Sequence, residues 1–267
     1  MRALVIVGVL VFAPAVASAQ GAAARVDIDL KQASLDYVLR ILGDTARLNV
    51  VILEGADTKV DVQVKRTPWT TVLDDVIKRA NLAYVKEGNV VLVGPPAFID
   101  ERKKAKKRTY AGPAVDVDLV GVDATDAGKL LSAASPKPIR LEGGSKAVTL
   151  RLMRLPLDQA QELILLATGA TVAAPPAKEP APKETKPATK ATKACAAARM
   201  PAGDLEAIGV VRFGTKRWAL LGTKTSAETF VVAQTDCVGT EAIKVKQIGT
   251  SFVQLADDKT WQLHPAP

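Results

Sequence analysis

Residues 26–30 alternate apolar and acidic: Val26, Ile28 and Leu30 against Asp27 and Asp29. A period of two is that of a strand with one buried face. The period then lengthens. Leu35, Val38, Leu39 and Leu42 fall on one side of a helix. Ser34 precedes them, where a hydroxyl can accept from a free N–H of the first turn. A short apolar strand follows at Asn49–Leu53, then a second alternating strand with Val60, Val62 and Val64 facing one way. Pro68 opens the next helix, where its missing N–H costs nothing. Val72, Val76 and Ile77 give that helix an apolar stripe. A hairpin closes the unit, with Leu82–Lys86 and Asn89–Val93 flanking Glu87-Gly88, a loop needing a permissive backbone.

The same order then returns. Val26–Leu30 matches Val115–Leu119, and Val60–Val64 matches Val148–Leu152. "RTPWTTVLDDVI" (Arg66–Ile77) reappears as "RLPLDQAQELIL" (Arg154–Leu165), with Pro68 matching Pro156. In the second copy Asp123–Ala134 fills the first helix, and Pro138–Leu141 the short strand. Ala160, Leu163, Ile164 and Ala167 form the second helical stripe. The second copy ends near Val172, so the last hairpin strand is missing from the pattern. An internal repeat of this length marks two related folding units. Beyond residue 204 the pattern becomes short alternating segments between Gly and polar turns. The predicted strands are Ile208–Phe213, Arg217–Gly222, Thr229–Ala233, Ile243–Ile248, Phe252–Leu255 and Trp261–Leu263. The expected fold class is therefore α+β: units at 26–96 and 115–174, followed by a small all-β domain at 204–267. On this reading residues 26–96, with both helices and a full strand set, fold alone.

Net charge changes the picture only once it is located. The chain carries +8, which invites a nucleic-acid reading. Residues 26–93 hold nine Lys/Arg against ten Asp/Glu, residues 115–174 six against seven, and residues 204–267 seven against seven. The excess lies at 94–114 and 175–203, each with six basic and two acidic residues. Residues 97–114 read as a solvated basic linker. Residues 175–203 read as a Pro/Lys/Ala-rich spacer, extended and self-repelling. Folded units without net positive charge argue against nucleic acid as a partner.

The first residues, "MRALVIVGVLVFAPAVASAQG", have a basic start, an apolar run too short to span a bilayer, and small residues at Ala17 and Ala19. They read as a signal peptide over 1–19, with a membrane anchor as the alternative. No later stretch reaches the length of a spanning helix, so an exported protein that does not span the membrane is expected. Two cysteines in an exported chain, Cys195 and Cys237, point to a disulfide, with two free thiols as the alternative.

Residues 26–95, with "LNVVI", "VDVQVKRTPWTTVLDDVIKRANLAY" and "GNVVLV", strongly resemble the short N-terminal domain shared by secretins and TonB-dependent receptors. Residues 115–172 resemble a degenerate copy of it. The resemblance implies two helices packed between a two-stranded and a three-stranded sheet. It also implies a location at the periplasmic end of an outer-membrane channel, in contact with partner proteins. The C-terminal motifs "AIGVV", "RWALL", "VGTEAIKVKQIG" and "SFVQL" resemble the small β domain of type IV pilus assembly lipoproteins and of the type II secretion inner-membrane component. In those families that domain docks onto secretin N-terminal domains. The long barrel segment of a secretin is not in this sequence, so a detached module, not a pore, is expected.

Candidate chemistry is sparse. His264 is the only histidine and sits in the tail. Asp27, Asp29, Asp116 and Asp118 read as polar strand faces, Asp74 and Asp75 as an outer helix face, and Trp69 as core, with a binding anchor as the alternative. There is no paired acid–base constellation, phosphate loop or Cys/His metal spacing. No catalytic, cofactor or metal residue is expected. The reading is a non-enzymatic periplasmic adaptor of a type IV pilus or type II secretion-like machine, bound to a secretin or another envelope-machine protein. The alternatives are a regulatory module of TonB-dependent uptake and an envelope-binding structural protein. Oligomeric state and the binding residues stay open.

Overall fold

The computed structural model describes residues 24–106, 108–135, 138–144, 146–172 and 195–263. The expected signal peptide, residues 175–194 of the spacer and His264 lie outside the described residues. The first copy begins with β1 (Arg25–Ser34) and α1 (Leu35–Ala46), the latter capped by Ser34 Oγ, which accepts from the Tyr37 N–H at 3.4 Å. There follow β2 (Asn49–Ile52), β3 (Lys59–Pro68), α2 (Trp69–Arg79), β4 (Ala83–Glu87) and β5 (Val90–Gly94). β1 and β3 form a two-stranded antiparallel sheet. β2, β5 and β4 form a three-stranded one, with β5 central. Leu35, Val38, Leu39 and Leu42 of α1 meet Val72, Leu73, Val76 and Ile77 of α2, with Val60, Val62, Val91 and Val93 from the two sheets. Trp69 is 4% exposed and belongs to this core.

The first part of residues 97–114, expected as a solvated linker, is instead a helix docked on the protein, while Lys103–Lys106 and Arg108–Thr109 are exposed. Pro96–Lys104 form α3, started by the Pro95-Pro96 pair and anchored by Ile99, which is fully buried. The second copy is then laid down as β6 (Ala114–Val122), α4 (Ala124–Ala134), β7 (Leu141–Glu142), β8 (Val148–Pro156), α5 (Leu157–Thr168) and β9 (Thr171–Val172). With no counterpart of β5 among the described residues, β7 pairs directly with β9.

The repeat is kept in detail that exceeds its hydrophobic pattern. β1 and β3 slip register between Val26 and Ile28 and again between Leu30 and Ala33; β6 and β8 slip between Val115 and Val117 and between Leu119 and Val122. Asp27 accepts from the Arg66 N–H and Asp116 from the Arg154 N–H, both donors being residues at positive φ. At the other bulge Asp61 accepts from the Gln32 N–H (φ 52°), and Thr149 Oγ1 from the Gly121 N–H (φ 61°). Helix starts match as well: Trp69 N donates to Ala24 O, and Leu157 N to Pro113 O. A short polar side chain holding each irregular amide is what keeps a bulge in one register.

The C-terminal segment does not stand apart as an all-β domain. Its strands are β10 (Leu205–Phe213), β11 (Lys216–Thr223), β12 (Thr229–Ala233), β13 (Cys237–Val238), β14 (Ile243–Ile248), β15 (Phe252–Leu255) and β16 (Thr260–Gln262). β10 pairs with β11 on one side and with β6 of the second copy on the other, so one sheet runs β12-β11-β10-β6-β8. One face of that sheet packs on α4 and α5 through Val117, Leu119, Val211 and Leu220. The other face packs on the sheet β13-β14-β15-β16, with Val210, Ala219 and Leu221 against Val245, Val253 and Leu255. The end of the expected spacer also belongs here. Ala196 N donates to Cys237 O at 2.9 Å, and Ala197 and Ala202 are buried.

Candidate functional site

The sheet edges of the two copies differ. In the second copy the outer edge of β6 is filled by β10. Gly209 lies opposite Leu119, Val210 opposite Asp118, Val211 opposite Val117, and Arg212 opposite Asp116. There is little room for a side chain at Gly209. A Cβ on Gly209 would stand 3.0 Å from Leu119 and 3.2 Å from Leu130 of α4. The basic residue is paired. Arg212 Nε donates to Asp116 Oδ2 at 2.7 Å, its Nη2 also meets that oxygen, and Oδ1 holds the Arg154 N–H. A buried carboxylate that is paired with a cation and hydrogen-bonded at both oxygens is stable where a lone one is not. Helix α4 covers the added strands. Asp126 accepts from Thr229 Oγ1 of β12 at 2.6 Å and from Lys129 Nζ at 2.7 Å.

In the first copy the corresponding edge is open. Among the described residues β1 pairs with β3 alone. Asp27 and Asp29 are exposed where Asp116 and Asp118 are 7% and 3% exposed. On the helix above, Tyr37 is 42% exposed where its counterpart Asp126 is buried, and Ile41 is half-buried where Leu130 is fully buried. The residues that differ in burial thus trace one patch, the footprint that β10 and β11 make on the second copy.

The copies meet at a seam. Val51, Val90 and Leu92, on the face of the three-stranded sheet away from α1 and α2, pack with Ile99 against the second copy. Asn49, 4% exposed, donates to Met153 O at 3.1 Å and accepts from Met153 N at 2.6 Å, which occupies the outer edge of β8. Arg102 of α3, its side chain 7% exposed, donates to both oxygens of Glu87 at 2.7 and 2.8 Å and to Glu162 at 2.6 Å. Tyr110 donates to Glu162 at 2.9 Å, and Arg108 pairs with the same carboxylate. The hydrogen bond to Glu87, opposed by burial and aided by Glu162, drives the Arg102 guanidinium far above its ordinary value. Burial raises the Glu162 carboxyl, but bonds from Arg108, Arg102 and Tyr110 outweigh it and hold the group below its ordinary 4.5. Burial and the bond to Asp74 push the Tyr84 hydroxyl up to about 12.

The remaining candidates fall as follows. Cys195 and Cys237 are joined, Cα to Cα 4.7 Å, which fastens the incoming chain to β13. Asp75 pairs with Arg79 on the outer face of α2, and Asp74 with Tyr84. Asp116 and Asp118, expected on a solvated face, are buried by the C-terminal strands. Among the described residues no group of three or more His, Cys, Asp or Glu is placed to hold a metal ion. No described helix is long and apolar enough to cross a membrane. Sequence reasoning missed Arg102, although Phe98, Ile99 and the helix-starting Pro95-Pro96 beside the charge run were signals of a docked helix. It also missed Arg212, for which the partner lies 96 residues away and no local signal exists.

No family model matches the chain. Over 78 residues, 29% of the chain, it is 32% identical to the fimbrial assembly protein PilQ of Pseudomonas aeruginosa. The match spans 10% of that protein's length. The chain is thus distantly similar, over part of its length, to a protein of fimbrial assembly.

Proposed function

We propose that this chain is a non-enzymatic periplasmic component of a secretin-type envelope machine, of the type IV pilus or type II secretion kind, and that it acts by binding other proteins. Its units are the recognition domains at 26–96 and 115–174 and the C-terminal β segment from 204. The observation that carries the reading is the β6–β10 junction. There a docking-type β segment completes the sheet of a recognition-type unit, with a charge pair and a small-residue contact fixing the register. Strand addition of this kind gives affinity through the backbone and specificity through alternate side chains. The similarity to a fimbrial assembly protein supports the setting. The test is capture of the full chain, tagged, from an envelope extract. Co-purification of pilus or secretion assembly proteins is expected. Recovery of a TonB-dependent receptor in their place would replace this reading with a role in uptake, and recovery of neither would overturn it.

A further inference from the structure

The second copy shows what its recognition edge accepts; the first copy presents the same edge without a partner strand. We infer that β1, together with Tyr37 and Ile41 of α1, is the docking site for an extended strand of a partner protein. That strand runs antiparallel to β1, with a small residue opposite Leu30 and an Arg or Lys opposite Asp27. The inference rests on the proposed function above and names the surface through which it operates.

Three observations converge on it. The first is the register. Leu119 and Asp116, which face Gly209 and Arg212, correspond to Leu30 and Asp27 at one offset of 89 residues, and the bulges on either side correspond as well. Backbone geometry that admits β10 in one copy is therefore present in the other. The second is burial. Asp27, Asp29, Leu30, Tyr37 and Ile41 are exposed or half-buried where their counterparts Asp116, Asp118, Leu119, Asp126 and Leu130 are buried, Tyr37 at 42% exposure being the clearest, whereas Val26 and Ile28 keep to the inner face and stay buried in both copies. An open strand edge beside a partly exposed aromatic is a surface that proteins otherwise protect. The third is charge. The edge carries Asp27 and Asp29, and at the first position Oδ1 is engaged by the Arg66 N–H, as Asp116 Oδ1 is by the Arg154 N–H. What the second copy adds at Oδ2 is a guanidinium.

Among the described residues, the chain's own strands do not meet the requirement. β10 has the pattern but is held between β6 and β11. β4 reads Ala83-Tyr84-Val85-Lys86 in the same order, but it is packed against α3, with Glu87 bound to Arg102. A separate protein is the occupant that fits.

The probe is a synthetic hairpin with the sequence of residues 205–223, compared with a version bearing Arg212→Glu, each titrated into the full chain. Amide hydrogen exchange reports where it binds. The Arg peptide should slow exchange over 26–30 and bind about tenfold more tightly than the Glu peptide, a charge-pair effect of ~1.4 kcal/mol. Asp27→Arg in the full chain should invert the preference. Asp27→Asn, which keeps the oxygen that holds the Arg66 N–H, should abolish it while the protein stays folded. Protection confined to 115–119 would mean that the peptide only replaces β10, and would overturn the inference. So would binding indifferent to Asp27. Self-association of the full chain that Asp27→Arg abolishes would make a second copy the occupant and overturn it too. If the envelope capture succeeds while the peptide fails, the proposed function stands and this edge is not its surface.

Discussion

The two copies share elements, bulges and the carboxylates and amides that hold them, yet one edge is finished and the other is not. In the second copy Asp116 is buried between Arg212 and the Arg154 amide. In the first, Asp27 makes the same amide contact in solvent. The difference teaches which part of the motif is structural and which is reserved for contact. The bulge-holding bond is common to both and serves the fold. The outward oxygen is used only where a strand is present. The same division holds on the helix, where Leu130 is core and Ile41 is rim.

The largest effect should come at the seam, where Glu87 of the first copy and Glu162 of the second share Arg102. Arg102→Ala leaves two partly buried carboxylates without their common partner, and we expect a loss of about 3–5 kcal/mol in denaturant unfolding. A loss below ~1 kcal/mol would show that the copies are joined by apolar contact alone. The same cluster sets a pH dependence. The folded Glu162 carboxyl lies below its ordinary 4.5, so its contribution is complete above that value and is lost as pH falls through the lower folded one. The stability gap between the parent and Arg102→Ala should accordingly narrow below about pH 4.5. A gap unchanged on acidification would remove Glu162 from the account.

The next effect separates the copies directly. Asp116→Asn turns an amide N–H₂ or a weaker acceptor toward Arg212 in a buried site and should cost about 2–3 kcal/mol. Asp27→Asn, with solvent available, should cost no more than ~0.5 kcal/mol. Equal costs in thermal unfolding would mean that the first-copy edge is as covered as the second.

The smallest effect concerns backbone. Gln32 holds the positive φ that Gly121 holds in the other copy. Gln32→Gly should stabilise by about 0.5–1 kcal/mol, the relief of left-handed strain exceeding the loss of its 3.3 Å side-chain bond to Asp61. Destabilisation would show that the Gln side chain, rather than its amide, holds the bulge.

Much of this was legible in the pattern of the chain. The helices, the cap at Ser34, the helix start beside Pro68, the strand pairs and the repeat follow from periods of two and 3.6 and from residue types that begin helices. The bulges were not, because Gln32, Arg66 and Arg154 are ordinary residues whose conformation is set by carboxylates far along the chain. The five-stranded sheet was hidden for a related reason. Nothing local in "AIGVVRF" states that its second edge belongs to β6 rather than to solvent. A fuller reading was available at β5. "VVLVG" is an unbroken apolar run, the mark of a strand covered on both faces, and the second copy is what covers its outer one. That face also bears on the expectation that residues 26–96 fold alone. Released from the second copy, the fragment exposes Val51, Val90 and Leu92 and lacks Ile99.

The measurement that tests the account most directly is site-specific photo-cross-linking of the full chain in its native envelope. A photoreactive residue at Lys31, exposed beside the β1 edge, should join the chain to a pilus or secretion assembly protein. The same residue at Val120, its counterpart packed against the C-terminal core, should react only within the chain. Adducts of the same kind and yield from both positions, or no intermolecular adduct from Lys31, would contradict a first copy held open for a partner.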